Sequence, residues 1–122
     1  MKFTQDSRAD RTVIRAYGEG ELRINDATFR CAVIVSAAAV RPSPELRAVE
    51  ELRPEHAAAL LEFDPDVVLL GTGRRQVFPD AAFGARFLRA GIGFEVMDTG
   101  AACRTFNVLT AELRRVAALL MV

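Results

Sequence analysis

The chain lacks tryptophan and has one tyrosine, one histidine and a single lysine, Lys2, and its formal net charge is zero. All its other basic residues are arginine. Nucleic acids and anionic membrane surfaces bind proteins through a net basic patch, which a neutral chain does not supply. The composition therefore argues against nucleic acid as a partner.

Cysteine is also scarce, since only Cys31 and Cys103 are present and they lie far apart in the sequence. The stretch Met1–Thr12 has no apolar core, so its sequence does not predict a secretory signal peptide. Both observations favour reduced thiols in a reducing compartment. His56 and two remote cysteines supply too few ligands for a metal site, so we expect neither a metal nor a cofactor.

Long hydrophobic runs are missing as well. The longest, Val116–Val122, has seven residues, whereas a helix needs roughly 20 to cross a bilayer. We therefore expect no transmembrane segment and a cytoplasmic protein. A length of 122 residues suits a single domain spanning residues 1–122. Residues 1–11 are polar, and we expect them to be flexible.

The most informative stretch that is present is Val67–Gly73, with the sequence Val-Val-Leu-Leu-Gly-Thr-Gly. It predicts a short buried strand that runs into a glycine-flanked turn. A helix is predicted to open at Phe78-Pro79-Asp80 and to end near Ala90, with Gly91 as its left-handed terminating residue. A strand follows over Gly93–Met97. A strand, a helix and a strand joined by tight links predict a parallel crossover.

The first third of the chain predicts a meander of strands over 12–17, 22–24 and 28–36, with a turn at Asn25-Asp26. The last of these strands alternates between two faces. Its two sets are Phe29, Cys31, Val33 and Val35, and Arg30, Ala32, Ile34 and Ser36.

The segment that follows is less regular. Pro42 and Pro44 predict a loop, because proline removes a backbone donor and restricts the residue before it. A short strand is predicted from Leu46 to Val49 or Leu52, with a helix left open as the alternative.

Two further helices are predicted. Pro54 suits a first helical position, and that helix runs to about Phe63. Asp98 or Thr99 can cap a second helix over about Gly100–Leu113. Its predicted buried residues are Ala102, Phe106, Leu109 and Leu113. The apolar run from Val116 shows no alternation and predicts a strand covered on both faces. Together the elements predict a three-layer α/β domain.

The loop Gly71-Thr72-Gly73 is the first candidate site. Ligands of open α/β folds bind at the carboxyl ends of parallel strands, and glycine turns can aim backbone N–H groups at them. Arg74 and Arg75 would add capacity to bind an anion. The loop matches neither the dinucleotide nor the phosphate-loop fingerprint, so a tight turn without a ligand stays open as the alternative.

Cys103 is the second candidate, because it lies near the start of a predicted helix, where the helix dipole and Arg104 could lower the pKa of its thiol. A nucleophile needs a base, and no feature places His56 nearby. We therefore favour a small buried residue. The third candidate is a polar cluster in which Arg104 either forms a structural ion pair, which we favour, or serves a cleft. Its members are Glu95, Asp98, Thr99, Arg104 and Asn107.

Three motifs carry a family resemblance: Leu-Leu-Gly-Thr-Gly at 69–73, Gly-Ile-Gly-Phe-Glu-Val-Met-Asp-Thr at 91–99 and Ala-Ala-Cys-Arg-Thr-Phe-Asn-Val-Leu at 101–109. With them the chain resembles the Mth-type domain family of unknown function. That family includes the adipogenesis-associated Mth-type domain protein, mitochondrial NADH dehydrogenase (complex I) assembly factor 3 and uncharacterised bacterial members.

The resemblance implies a mixed central β-sheet with helices packed on it and an N-terminal β-hairpin or meander layer beside it. It implies no established enzymatic activity. For eukaryotic members it implies assembly of a respiratory complex through protein partners near the membrane.

Two hypotheses follow. The favoured one is a non-enzymatic protein-interaction or assembly factor with an unidentified protein partner, and it is compatible with a homodimer. The alternative is a small-molecule or anion-binding protein, with enzymatic activity left open, that uses the Gly71-Thr72-Gly73 loop and the Glu95/Arg104 cluster. The candidate cleft residues are Gly71, Thr72, Gly73, Arg74, Glu95, Asp98, Thr99, Cys103, Arg104 and Asn107.

Overall fold

The strands form two separate sheets in the computed structural model of the protein, which describes residues 11–122. An antiparallel three-stranded sheet has the order β1-β2-β3. A five-stranded sheet has the order β5-β4-β8-β6-β7. The strands are β1 (Ile14–Gly18), β2 (Glu21–Ile24), β3 (Ala27–Phe29), β4 (Ala32–Ser36), β5 (Ala39–Ser43), β6 (Val67–Gly71), β7 (Gly93–Met97) and β8 (Val116–Leu120).

The larger sheet is mixed. Strand β4 runs antiparallel to β5 and β8, whereas β6 runs parallel to β7 and β8. Strand β8 therefore lies at the centre, and every residue of it is buried. A strand covered on both faces has no reason to alternate, so the apolar run from Val116 is explained.

Aspartate residues cap the starts of two helices. The helices are α1 (Pro54–Leu61), α2 (Ala81–Arg89) and α3 (Thr99–Ala111). Asp80 accepts the N–H of Ala82 at the start of α2, and Asp98 accepts that of Ala101 at the start of α3. Gly91, with a φ of 78°, follows α2, as predicted.

Two buried clusters lie on opposite faces of the five-stranded sheet. One contains Leu22 from the small sheet, Leu69 from β6 and Phe106 from α3. The other contains Leu60 from α1 and Phe87 from α2. Helix α3 and the small sheet thus cover one face, and α1 and α2 cover the other, which confirms the predicted three layers.

The predicted strand over Thr28–Ser36 is wrong in one respect, because the chain leaves one sheet and enters the other at Arg30-Cys31. The alternation of faces continues across the break, since Phe29 and Val33 contact one cluster whereas Ile34 lies in the other. A period of two reports which face is buried and not which sheet a residue belongs to.

Three smaller predictions are also corrected. Pro42 lies inside β5 and not in a loop; β5 is an edge strand, where a missing N–H costs least. The predicted strand after Leu46 is instead a 3₁₀ turn at Val49–Glu51. Leu113 is 65% exposed, with a φ of 65°, because α3 ends before it. Flexibility was expected for residues 1–11, but residues 1–10 lie outside the described part of the chain. Nη1 of Arg11 donates to the carbonyl of Thr110 at 3.0 Å.

Candidate functional site

The glycine loop after β6 is closed on itself. The N–H of Thr72 donates to the carbonyl of Met97 at 2.9 Å. The Thr72 hydroxyl accepts the N–H of Val77 at 3.0 Å and donates to the carbonyl of Arg75. A threonine at this position therefore shapes the loop through its own side chain, and the hydroxyl is engaged inside the protein.

Thr99 ties the loop to helix α3 and to strand β8. Gly73, with a φ of 99°, donates its N–H to the Thr99 hydroxyl at 2.7 Å and accepts the N–H of Thr99 at 2.8 Å. The same hydroxyl donates to the carbonyl of Met121 at 2.7 Å, and Thr99 is 0% exposed. The N–H groups of Thr72 and Gly73 are thus both bonded within the protein.

Gly71 is required by close packing. A Cβ at this position would lie 3.0 Å from both Cα and Oγ1 of Thr99 and 3.1 Å from Cβ of Ala102. The absence of a side chain lets the first turn of α3 pack directly on the end of β6. Gly71, Thr72, Gly73 and Thr99 therefore form one hydrogen-bonded and packed unit.

Asn107 lies further along α3 and binds strand β1. Its Oδ1 accepts the N–H of Ile14 at 3.0 Å, and its Nδ2 donates to the carbonyl of Ile14 at 2.8 Å. The side-chain amide thus bonds to the edge of β1 as a neighbouring strand would. It is not grouped with the glycine loop.

A polar cluster remains at the first turn of α3. A Cβ at Gly100 would lie 3.6 Å from Nη1 of Arg104 and 3.8 Å from Cδ2 of Tyr17. Burial raises the pKa of Tyr17, the nearby Cys103 raises it further, and the charge of Arg74 lowers it. Tyr17 was missed as a site residue; its one sequence signal is that it is the chain's only tyrosine, near the end of a strand.

Cys103 is buried in the packed layer between α3 and the sheet. Burial raises the pKa of its thiol to about 11, against the opposing charge of Arg104. The neutral thiol is therefore the form present at neutral pH. His56 lies on α1, which packs on the opposite face of the sheet, so it is not placed to act as a base for Cys103.

Glu95 stands apart from the other candidates. It lies in the middle of β7 and is exposed. Among residues 11–122, Arg104 forms no ion pair with Glu95 or with Asp98. The Asp98 carboxylate instead caps α3.

An apolar groove runs beside Glu95. It has a volume of about 660 Å³ and lies between β7, α2 and the loop before α2. Phe78 and Leu88 line it and are 70% and 63% exposed. The residues along it are Gln76, Phe78, Pro79, Asp80, Ala81, Gly84, Ala85, Leu88, Phe94, Glu95 and Val96.

The part of the chain that the structure describes has no buried side-chain polar atom without a partner and no cluster of metal-ligating residues. Within residues 11–122 every buried side-chain nitrogen and oxygen atom has a hydrogen-bond partner. The same residues contain no group of three His, Cys, Asp or Glu side chains that could hold a metal ion. None of their helices is long and apolar enough to span a membrane.

These features define a three-layer α/β domain whose glycine loop is bonded to the helix that follows β7. The chain belongs to the DUF498/DUF598 family of proteins of unknown function, which it matches over residues 14–121. Among solved structures, a protein of Xanthomonas campestris is 36% identical with a TM-score of 0.82, over 91% of this chain and 84% of that one. A Mth938-like domain of Bordetella pertussis is 30% identical with a TM-score of 0.77, over 90% and 85%. The resemblance to the Mth-type family is thereby confirmed.

Two curated relatives carry more specific names. The "13 kDa major membrane protein" of Francisella tularensis is 25% identical over 108 residues, which are 88% of each chain. The zebrafish NADH dehydrogenase 1 alpha subcomplex assembly factor 3 is 44% identical over 62 residues. That second match covers 51% of this chain and 36% of the zebrafish protein.

Proposed function

We propose that this chain is a non-enzymatic protein-interaction or assembly factor that acts as a single domain. The observation that carries the proposal is the exposure of Phe78 and Leu88, 70% and 63%, on one groove. Large apolar side chains exposed together mark surfaces that another molecule covers. The exposed groove therefore supports the proposal that a protein partner binds there.

The relationship to the zebrafish assembly factor supports a finer version of the proposal. Its name assigns it to the assembly of NADH dehydrogenase. By analogy, this chain would hold a subunit of a respiratory complex before that complex is complete. A bacterial setting for this role agrees with the bacterial origin of the similar solved structures.

The alternative is a small-molecule or anion-binding protein that uses the Gly71-Thr72-Gly73 loop. One observation favours it, namely that the exposed residues Arg74 and Arg104 flank the start of α3 around Tyr17. Against it, the Thr99 hydroxyl already accepts the N–H of Gly73. An anion would have to bind through the guanidinium groups without that amide.

The cytoplasm remains the proposed compartment, because Cys31 and Cys103 are both free thiols. A membrane-associated position is the competing outcome, since the Francisella relative is named a membrane protein. Fractionation of native cells with an antibody against the chain separates the two.

The function is tested in a strain of the native organism from which the gene has been deleted. Native gels and mass spectrometry would compare its respiratory complexes with those of the parent. We expect partly assembled complexes that wild type restores, that Phe78→Ser/Leu88→Ser does not restore, and that Arg74→Ala/Arg104→Ala restores.

Normal complexes in the deletion strain would contradict the proposal. The alternative gains support if a millimolar anion or cofactor raises the melting temperature and Arg74→Ala/Arg104→Ala abolishes the rise. A ligand at 100 times its dissociation constant would stabilise the fold by about 2.7 kcal/mol, a shift on the order of 10 °C.

A further inference from the structure

Among residues 11–122, strand β7 pairs only with β6, so within the described chain its other edge is open. The N–H of Gly93 and the carbonyl of Met97 both bond toward β6, to Asp66 at 3.1 Å and Thr72 at 2.9 Å. Backbone groups of successive residues in a strand point to opposite sides, so those of Phe94 and Val96 point outward. The edge therefore presents two adjacent positions for backbone pairing.

Gln76 confirms this orientation. Its Nε2 donates to the carbonyl of Val96 at 2.9 Å from the side away from β6. The N–H and carbonyl of Phe94 and the N–H of Val96 remain for a partner strand. An extended backbone is the one conformation that bonds to such a row of groups.

Two of the other three sheet edges in the described part of the chain offer fewer free backbone groups, and the third, β3, is only three residues long. Pro42 deprives β5, the opposite edge of the large sheet, of one N–H. The amide of Asn107 takes both backbone groups of Ile14 on β1. The β7 edge lacks any comparable block beyond Gln76.

The groove specifies the side chains of an added strand on one face. Phe94 and Val96 direct their side chains toward the α1/α2 face of the sheet. Phe78 and Leu88 extend that apolar surface beyond the edge. A volume of about 660 Å³ accommodates two apolar side chains, which an extended peptide supplies at positions i and i+2.

Charge specifies the residue between them. Glu95 lies between Phe94 and Val96 and faces the α3 side, where Met97, Thr105 and the charged residues Asp66 and Arg114 line the same surface. Of the residues that the structure describes, only Asp80 and Glu95 are charged along the groove. A basic side chain opposite Glu95 would form a favourable cross-strand pair.

The same charge disfavours a second copy of the chain. Two β7 strands paired about Glu95 would use both Phe94 and Val96 of each copy. That arrangement sets the two Glu95 carboxylates directly opposite each other, which is destabilising. A different molecule with a basic residue at this position has no such conflict.

We propose that the open edge of β7 binds an extended segment of a partner protein in which apolar residues alternate with a basic one. The segment adds a sixth strand, places its apolar side chains in the groove and sets its Lys or Arg opposite Glu95. This inference rests on the proposed function, and it names the part of the partner that the chain recognises.

The test uses two fluorescein-labelled ten-residue peptides, one alternating valine with lysine and the other alternating valine with glutamate. Fluorescence anisotropy is expected to show at least tenfold tighter binding of the lysine peptide to the wild-type chain. Glu95→Lys should reverse the preference. Glu19→Lys, an identical charge change in the exposed β1–β2 turn, should leave it unchanged.

Nuclear magnetic resonance distinguishes strand pairing from nonspecific charge attraction between the peptide and the protein. Saturating lysine peptide should slow hydrogen exchange of the Phe94 and Val96 amides. Leu88→Ser, at an exposed position that tolerates the change, should weaken binding at least fivefold while leaving the spectrum of the fold intact.

The proposal is overturned if neither peptide binds, if binding ignores Glu95→Lys, or if exchange at Phe94 and Val96 is unchanged. Concentration-dependent dimerisation that protects the same two amides would also overturn it, in favour of a second copy. Failed peptide binding alongside incomplete complexes in the deletion strain would refute the edge site alone and leave the assembly role standing.

Discussion

Replacing Thr99 by valine tests whether its hydroxyl holds the glycine loop to α3. Valine has nearly the same shape, so no cavity forms, but the N–H of Gly73 and the carbonyl of Met121 both lose their partner. Each unsatisfied buried group costs about 1–3 kcal/mol. We expect Thr99→Val to lower the free energy of unfolding by about 3 kcal/mol, a large part of the ~5–15 kcal/mol of a domain.

Thr99→Ser is the matched control, because it keeps the hydroxyl and removes only one methyl group. Burial of one such group is worth about 0.8 kcal/mol. Urea unfolding followed by circular dichroism should therefore place the serine variant roughly 2 kcal/mol above the valine variant. Hydrogen exchange at the Gly73 amide should accelerate in the valine variant and change little in the serine variant.

The relative stability of the two variants tests the role of the Thr99 hydroxyl. If Thr99→Val is as stable as Thr99→Ser, the two bonds at 2.7 Å do not determine the stability of this junction. The loop would then depend on packing alone, and its amide would be available to a ligand.

Three further predictions concern the packing around this junction. Gly71→Ala should destabilise the fold by about 1–3 kcal/mol by overpacking. Gly93→Ala, whose Cβ would lie 3.4 Å from its nearest atom, should leave the stability unchanged. Equal melting temperatures for the two variants would contradict this prediction. Burial raises the pKa of the Cys103 thiol from 9.0 to about 11, so iodoacetamide should label Cys103, measured separately from Cys31 by peptide mass spectrometry, far more slowly in native than in urea-unfolded protein at pH 8. Because that folded pKa lies above the unfolded one, the associated stability is complete below pH 9 and is lost as pH rises toward 11; Cys103→Ala should remove this loss from urea melts. Leu119→Lys would bury an unpaired ammonium at a 0% exposed position, at a cost of several kcal/mol, and a native circular dichroism spectrum would refute the central place of β8.

Elements with local signals could be predicted from the sequence. The bounds of β7, the cap at Asp98 and the left-handed Gly91 all rest on residues within one turn or strand. The exchange of sheets at Arg30-Cys31 could not be predicted in the same way, because it depends on which distant strand pairs with each half. Pro42 was placed in a loop for the same reason, since its edge position is a property of the whole sheet.

In the candidate site, too, the local features could be predicted and the long-range contacts could not. The glycine loop was found from its own residues, but its bonds to Thr99 and Met121 join positions far apart in the chain. Tyr17 reaches the first turn of α3 only because the small sheet packs there. Glu95 and Arg104 were expected to interact because one lies in β7 and the other in the helix that follows it, but no ion pair joins them among residues 11–122.

The central position of β8 has a consequence for how the chain folds during synthesis. Strands β4 and β6 do not pair with each other, and each is hydrogen-bonded to β8 between them. The hairpin β4–β5 and the crossover β6–α2–β7 can each form locally, but the sheet stays open until Val116–Leu120 has left the ribosome. Such long-range closure slows folding and leaves strand edges unpaired meanwhile. Pairing of β8 with both β4 and β6 is therefore the step that closes the five-stranded sheet.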